Sequence, residues 1–189
     1  MKKVITTIVF LITCISYSQD NIVPLEDASQ HSSFETPKIY YKDVNGILDK
    51  FIGTWKYQDN PTNPTKVFEI TFSKREMRDE GGASFTDELT SKFIYVDNST
   101  IVYNTYQDRF GYISGSILVN NTNNSKMKLY YSEPIIDGRT LRENPNSILE
   151  IEFQIINGQP QLKWYNGYEL LPDNSSPFRI PLLMVLNKI

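Results

Sequence analysis

The chain has 189 residues and a net charge of −3, with 40% hydrophobic and 13% aromatic residues, one cysteine and one histidine. That length favours one domain able to bury its own core, and the acidic balance argues against nucleic acid or an anionic membrane surface as partner. The single His and single Cys fall short of the ligands of a structural zinc site, so no metal and no other cofactor is expected.

The chain opens with MKKVITTIVFLITCISYSQD, in which Lys2 and Lys3 precede an apolar run from Val4 to Ile15. Ser16 and Ser18 then give a small-x-small pattern before Gln19. This is the layout of a secretory signal peptide over residues 1–18, cut near Ser18/Gln19, and it is too short to span a bilayer. The expected mature chain is secreted or periplasmic, without a transmembrane segment. Losing the two lysines takes the net charge from −3 to −5, and Cys14 leaves with them, so no disulfide remains. The alternative is a lipid anchor at Cys14, because LITC resembles a lipobox. Thr13 stands there where Gly, Ala or Ser is usual, which favours the soluble form.

Residues 19–37 are polar and aperiodic and read as a disordered leader, with His31 solvated in it. The domain proper is expected over 38–189. Val44, Ile47, Leu48 and Phe51 fall at i, i+3, i+4 and i+7, which predicts a short helix N-capped by Asp43, with Gly46 limiting it to two turns.

From Gly53 the period changes from 3.6 to 2. Trp55 and Tyr57 share a face in GTWKYQ; Phe68, Ile70 and Phe72 alternate with polar residues in KVFEITFSK. SKFIYV presents Phe93 and Tyr95, and TIVYNTY presents Tyr103; YISGSILV is the next strand. Met127, Leu129 and Tyr131 alternate in KMKLYYS, and Leu149, Ile151, Phe153 and Ile155 in ILEIEFQI; QLKWYNGY carries Leu162 and Trp164, and RIPLLMVLNK closes the chain. Asn157-Gly158 marks a tight hairpin between two of them. About eight or nine strands joined mostly by turns, each apolar on one face, predict an all-β antiparallel meander that must close to cover its face and edges: an up-and-down barrel.

The short helical pattern followed by Gly53-Thr54-Trp55 and then a strand meander resembles lipocalin-like barrels. That resemblance implies a Trp55 floor over which a basic residue of the last strand lies, here Lys188 by a cation–π contact. The stretch YYKDVNGILDKFIGTWKY, with PLLMVLNK near the C-terminus, also resembles a lipocalin-like family of small secreted proteins of Gram-negative bacteria, catalogued as a domain of unknown function. The likeness implies a fold and a location and carries no catalytic residues.

The carboxylates give little sign of catalysis. Glu150 and Glu152 lie on the face opposite Leu149 and Ile151, which makes them solvent-facing partners of lysines. REMRDE, residues 75–80, reads as a solvated hairpin tip, and no inward strand position offers a carboxylate. DGRTLRENPNS, residues 137–147, is a long connection that reads first as a surface loop; the alternative is that, at a barrel mouth, Arg139, Arg142 and Glu143 gate entry. The candidate interior residues are Trp55, Tyr57, Phe68, Phe72, Phe93, Tyr95, Tyr103, Met127, Tyr131, Phe153 and Trp164, with Gly53, Trp55 and Lys188 as structural floor. Lining an open barrel, they suit a small hydrophobic ligand and a non-catalytic carrier; filling it, they are the core of an envelope interaction module that presents Tyr106, Tyr130 and Tyr165 outside.

Overall fold

The computed structural model describes residues 21–31, 38–82, 84–109, 111–119, 124–135, 146–167 and 176–189. All nine expected strands form: β3 (Gly53–Gln58), β4 (Lys66–Asp79), β5 (Ser84–Asp97), β6 (Thr100–Asn104), β7 (Ile113–Leu118), β8 (Lys126–Ser132), β9 (Asn146–Ile156), β10 (Gln159–Asn166) and β11 (Leu183–Lys188). Two strands precede them, β1 (Asn21–Pro24) and β2 (Ile39–Lys42).

Neighbours run in the order β5-β4-β3-β11-β10-β9-β8-β7, and pairing of β7 with β5 closes an eight-stranded antiparallel barrel. The β5 ladder splits: its upper end pairs with β6, and Leu89 and Thr90 pair with Gly115 and Ser114 of β7. Between these, Thr105 stands in for a ladder partner, its Oγ1 accepting from Phe93 N at 2.8 Å. Asn157 and Gly158 turn the β9–β10 hairpin with φ of 52° and 77°, the left-handed pair that a two-residue turn requires.

The N-terminal stretch departs from expectation. Residues 21–31, read as part of a disordered leader, hold β1 and a 3-10 turn over Leu25–Gln30. β1 lies parallel to β2, which lies parallel to the start of β5. Val23 and Leu25 are buried there, and burial of apolar side chains holds what composition alone left loose. Residues 1–18, the expected signal peptide, lie outside the described residues, as do Arg139, Arg142 and Glu143.

The short helix before Gly53 is replaced by turns. Gly46 adopts φ +64°, which ends any right-handed helix at that point. The backbone bonds that follow run three residues apart, from Asp49 N to Gly46 O, Phe51 N to Leu48 O and Ile52 N to Asp49 O. Asp43 still caps the segment, its carboxylate accepting from Ile47 N at 2.6 Å and Leu48 N at 3.2 Å. Ile47, Leu48 and Phe51 are buried, whereas Val44 is exposed because the broken helix no longer turns it inward.

Those turns seal the end of the barrel marked by Trp55. The indole Nε1 of Trp55 donates to Phe51 O at 2.8 Å, and Phe153 meets both Phe51 and Trp55 edge-on at 6.3 Å. Lys188, paired in register with Trp55, sets its ammonium 5.2 Å from the indole centre.

Candidate functional site

The predicted interior residues do converge, and they fill the tube. Trp55, Phe68, Phe72, Phe93, Tyr95, Tyr103, Met127, Tyr131 and Trp164 are buried, while Tyr57 and Phe153 are half-buried against the same core. Phe68 packs on Trp164 at 5.2 Å and on Phe93 at 5.6 Å; Tyr131 packs on Trp164 at 5.7 Å. Aromatic rings meeting edge-to-face, as in the two Trp164 pairs, or tilted, as Phe68 on Phe93, at these distances are core contacts of the filled kind.

The end away from Trp55 is closed from the connection into β11. Phe178 lies 5.1 Å from Tyr131, and Phe178 and Ile180 are both buried. Glu133, just past β8, fixes this cover. Its Oε1 accepts from Tyr131 Oη at 2.7 Å and Ile180 N at 2.9 Å, and its Oε2 from Tyr103 Oη at 2.8 Å and Arg179 N at 2.9 Å. Burial first, and then the Glu133 charge, holds the Tyr131 phenol well above the ordinary tyrosine range.

Buried carboxylates also occupy β5, where none was expected. Asp87 accepts from Tyr40 Oη at 2.6 Å, Asp43 N at 3.0 Å and Met77 N at 3.1 Å. Glu88, fully buried, pairs with Arg75 and, at 2.9 Å, with Arg78. The cluster REMRDE does end β4 as a largely exposed hairpin tip, but Arg75 and Arg78 within it also pair with a carboxylate that is fully buried. Arg75 and Arg78 are three apart, so plain alternation sends them to opposite faces. A β-bulge between them, with Met77 at φ 50°, inserts one residue and brings both to Glu88. Sequence offered one clue, the dense alternation of opposite charges; the bulge itself left no mark on the pattern.

Glu150 and Glu152 behave as expected, facing outward to Lys126 at 3.0 Å and Lys163 at 3.7 Å. His31 is exposed.

An opening lies at the seam between the first and last barrel strands. β3 and β11 pair at Lys56↔Asn187 and Trp55↔Lys188, with Ile189 N donating to Thr54 O beyond them, while β3 stays with β4 as far as Gln58↔Val67 and β11 stays with β10 as far as Leu183↔Tyr165. Where they part, a groove of about 680 Å3 is lined by Tyr57 and Gln58 on one lip and Leu183, Met184 and Val185 on the other, with Trp164 among its walls and Glu150, Glu152, Lys163 and Tyr165 around it. Apolar walls with a few polar groups, in a volume within the roughly 300–1,000 Å3 of small-molecule sites, are what a ligand pocket requires. Of the predicted interior residues, the groove takes in Tyr57 and Trp164; the apolar lip Leu183–Val185 was missed, since Leu183 and Val185 face outward and read as ordinary surface positions.

A closed eight-stranded antiparallel barrel with a tryptophan floor, a filled interior and a lateral groove defines a small lipocalin-like barrel protein. Residues 1–167 match the model of a family of unknown function, DUF6705, and the chain belongs to that family. The matched span ends before β11, so Lys188 and the apolar lip of the groove lie beyond it. No curated protein and no solved structure matches the chain.

Proposed function

We propose that this protein is an exported, non-catalytic binder of a small apolar molecule, and that the ligand sits in the groove at the β3–β11 seam, outside the filled interior. The observation that carries the reading is the groove itself: apolar side chains of Tyr57, Leu183, Met184 and Val185 surround about 680 Å3 while acidic and basic residues stand around it. Leu183 is 68% exposed, a cost in hydration that a ligand recovers. Export is supported by Lys2, Lys3, the Val4–Ile15 run and the small-x-small site at Ser16 and Ser18. The absence of catalysis is supported by Asp87, Glu88 and Glu133, whose oxygens are engaged by ion pairs and backbone or phenol hydrogen bonds.

The test is titration with anilinonaphthalene sulfonate, whose fluorescence rises on apolar surfaces. The native fold should bind it, and Leu183→Glu should weaken binding at least tenfold without changing the melting temperature. Unchanged affinity in that variant removes the groove from consideration.

A second reading is favoured by one further observation. Tyr130 and Ile148, opposite each other across β8 and β9, are both exposed, as is Tyr165 on β10. Exposed aromatics on the outer sheet suit a filled barrel acting as an envelope interaction module. Tyr130→Ser with Ile148→Ser, both away from the groove, should then abolish retention on the envelope fraction of the host while leaving dye binding intact.

A further inference from the structure

The two tryptophans of this chain are provided for differently. Trp55 Nε1 donates to Phe51 O at 2.8 Å. Trp164 is 1% exposed, yet its Nε1 has no hydrogen-bond partner among the described residues. A buried donor left in this way is unfavourable, and phenylalanine would supply the same apolar packing without it. Trp164 is also one of the inward residues that the seam groove reaches.

We propose that the groove takes an uncharged apolar molecule bearing one accepting oxygen, such as a ketone, ester or ether, and that its entry where β3 and β11 part shifts the side chains that bury Trp164, so that this oxygen receives the Trp164 Nε1 hydrogen. This deepens the reading of the groove as a ligand site and rests on it. Charge around the groove decides against an ion. Glu150 is paired with Lys126 and Glu152 with Lys163, so these carboxylates are already matched, and a buried anion or cation would find no free countercharge from those pairs. A neutral indole N–H answers a neutral oxygen. The apolar remainder of the molecule lies along Tyr57, Leu183, Met184 and Val185.

Having only two tryptophans makes the test direct. In protein labelled with nitrogen-enriched tryptophan, the proton–nitrogen correlation spectrum holds two indole signals, assigned with Trp164→Phe. Acetonaphthone and ethylnaphthalene are probes of nearly equal size that differ by a carbonyl. Acetonaphthone should move the Trp164 indole proton downfield, leave Trp55 in place, and bind about three- to tenfold more tightly than ethylnaphthalene, the range a neutral hydrogen bond supplies. In Trp164→Phe that preference should collapse to near unity. If both probes shift the Leu183 and Val185 amides equally and the Trp164 signal stays put, the oxygen assignment is overturned and the groove reading stands. A Trp164 proton held upfield by a facing ring in every state also overturns it, because the N–H then points at an aromatic face. Failure of both probes to bind overturns the two together. Should Trp164→Phe not fold, the two probes on the native protein decide alone.

Discussion

A methyl group placed on Gly53 would lie 3.0 Å from Cε of Lys188. Gly53 holds φ +120°, and Lys188 reaches past it to set its ammonium over the Trp55 ring. The Gly-x-Trp triplet therefore has a physical reading on both counts: glycine for a backbone that L-residues avoid, tryptophan for the floor. The lysine tip can swing aside, but the backbone conformation cannot relax without moving β3. Gly53→Ala should cost about 1–3 kcal/mol, and Lys188→Met about 0.5–1 kcal/mol, both read from urea unfolding curves. Equal costs for the two would show that the steric contact, not φ, is what matters.

The Arg75–Glu88–Arg78 cluster predicts an asymmetry. Glu88 is fully buried, whereas the side chains of Arg75 and Arg78 are 46% and 33% exposed. Removing both arginines strands a buried carboxylate and should cost about 3–5 kcal/mol. Replacing Glu88 with Met leaves two cations that reach water, and should cost about 1–3 kcal/mol. Chemical denaturation of Arg75→Met/Arg78→Met beside Glu88→Met checks the order; the reverse order would mean that the bulge, and not the charge, is what the cluster protects.

From the described residues Tyr103, Tyr131, Arg179 and Ile180, Glu133 accepts four hydrogen bonds with its two oxygens. In Glu133→Gln one oxygen becomes an NH2 group facing donors, so two of the four are lost. The variant should be destabilised by about 2–4 kcal/mol, and amide exchange should quicken first at Arg179 or Ile180. Exchange that quickens uniformly across β8 to β10 instead would show that Glu133 serves the whole barrel and not its cover.

At alkaline pH the buried phenols dominate. Burial raises Tyr131, Tyr95 and Tyr40 above the ordinary tyrosine value, with nearby carboxylates adding to the effect at Tyr131 and Tyr40. Their folded forms stay protonated while the unfolded chain releases protons from roughly pH 10. The stability they contribute is thus complete below that pH and declines as pH rises toward their folded values. Tyrosinate absorbance from this buried set should rise only together with unfolding, seen as coincident absorbance and circular-dichroism transitions. At the acid end, Asp59 accepts from Thr65 and from Lys66 N, which lowers its carboxyl; the β3–β4 loop should loosen as pH falls through that lowered value, seen as faster exchange at the Thr65 and Lys66 amides.

Much of the fold was legible because alternation is a local property. Phe68, Ile70 and Phe72 point one way in any strand they form, and the same holds for Leu149 and Ile151; nine strands followed from that period, and closure followed from the need to cover their apolar faces. The floor was legible too, since Gly53 and Trp55 are two apart in the chain and Lys188 was a matter of register. Residues 21–31 were not, because a strand held by one neighbour and two buried side chains carries no period of its own.

Sequence by itself determined the inner faces, the tight Asn157-Gly158 hairpin and the tryptophan end of the barrel, all set by contacts between residues two to four apart or by a single backbone angle. Tertiary structure alone decided that the interior is filled, that one extra residue at Met77 gathers two arginines on Glu88, and that Glu133 holds the cover. It also decided where the groove lies, because that opening exists only where strands from opposite ends of the chain meet briefly and then diverge.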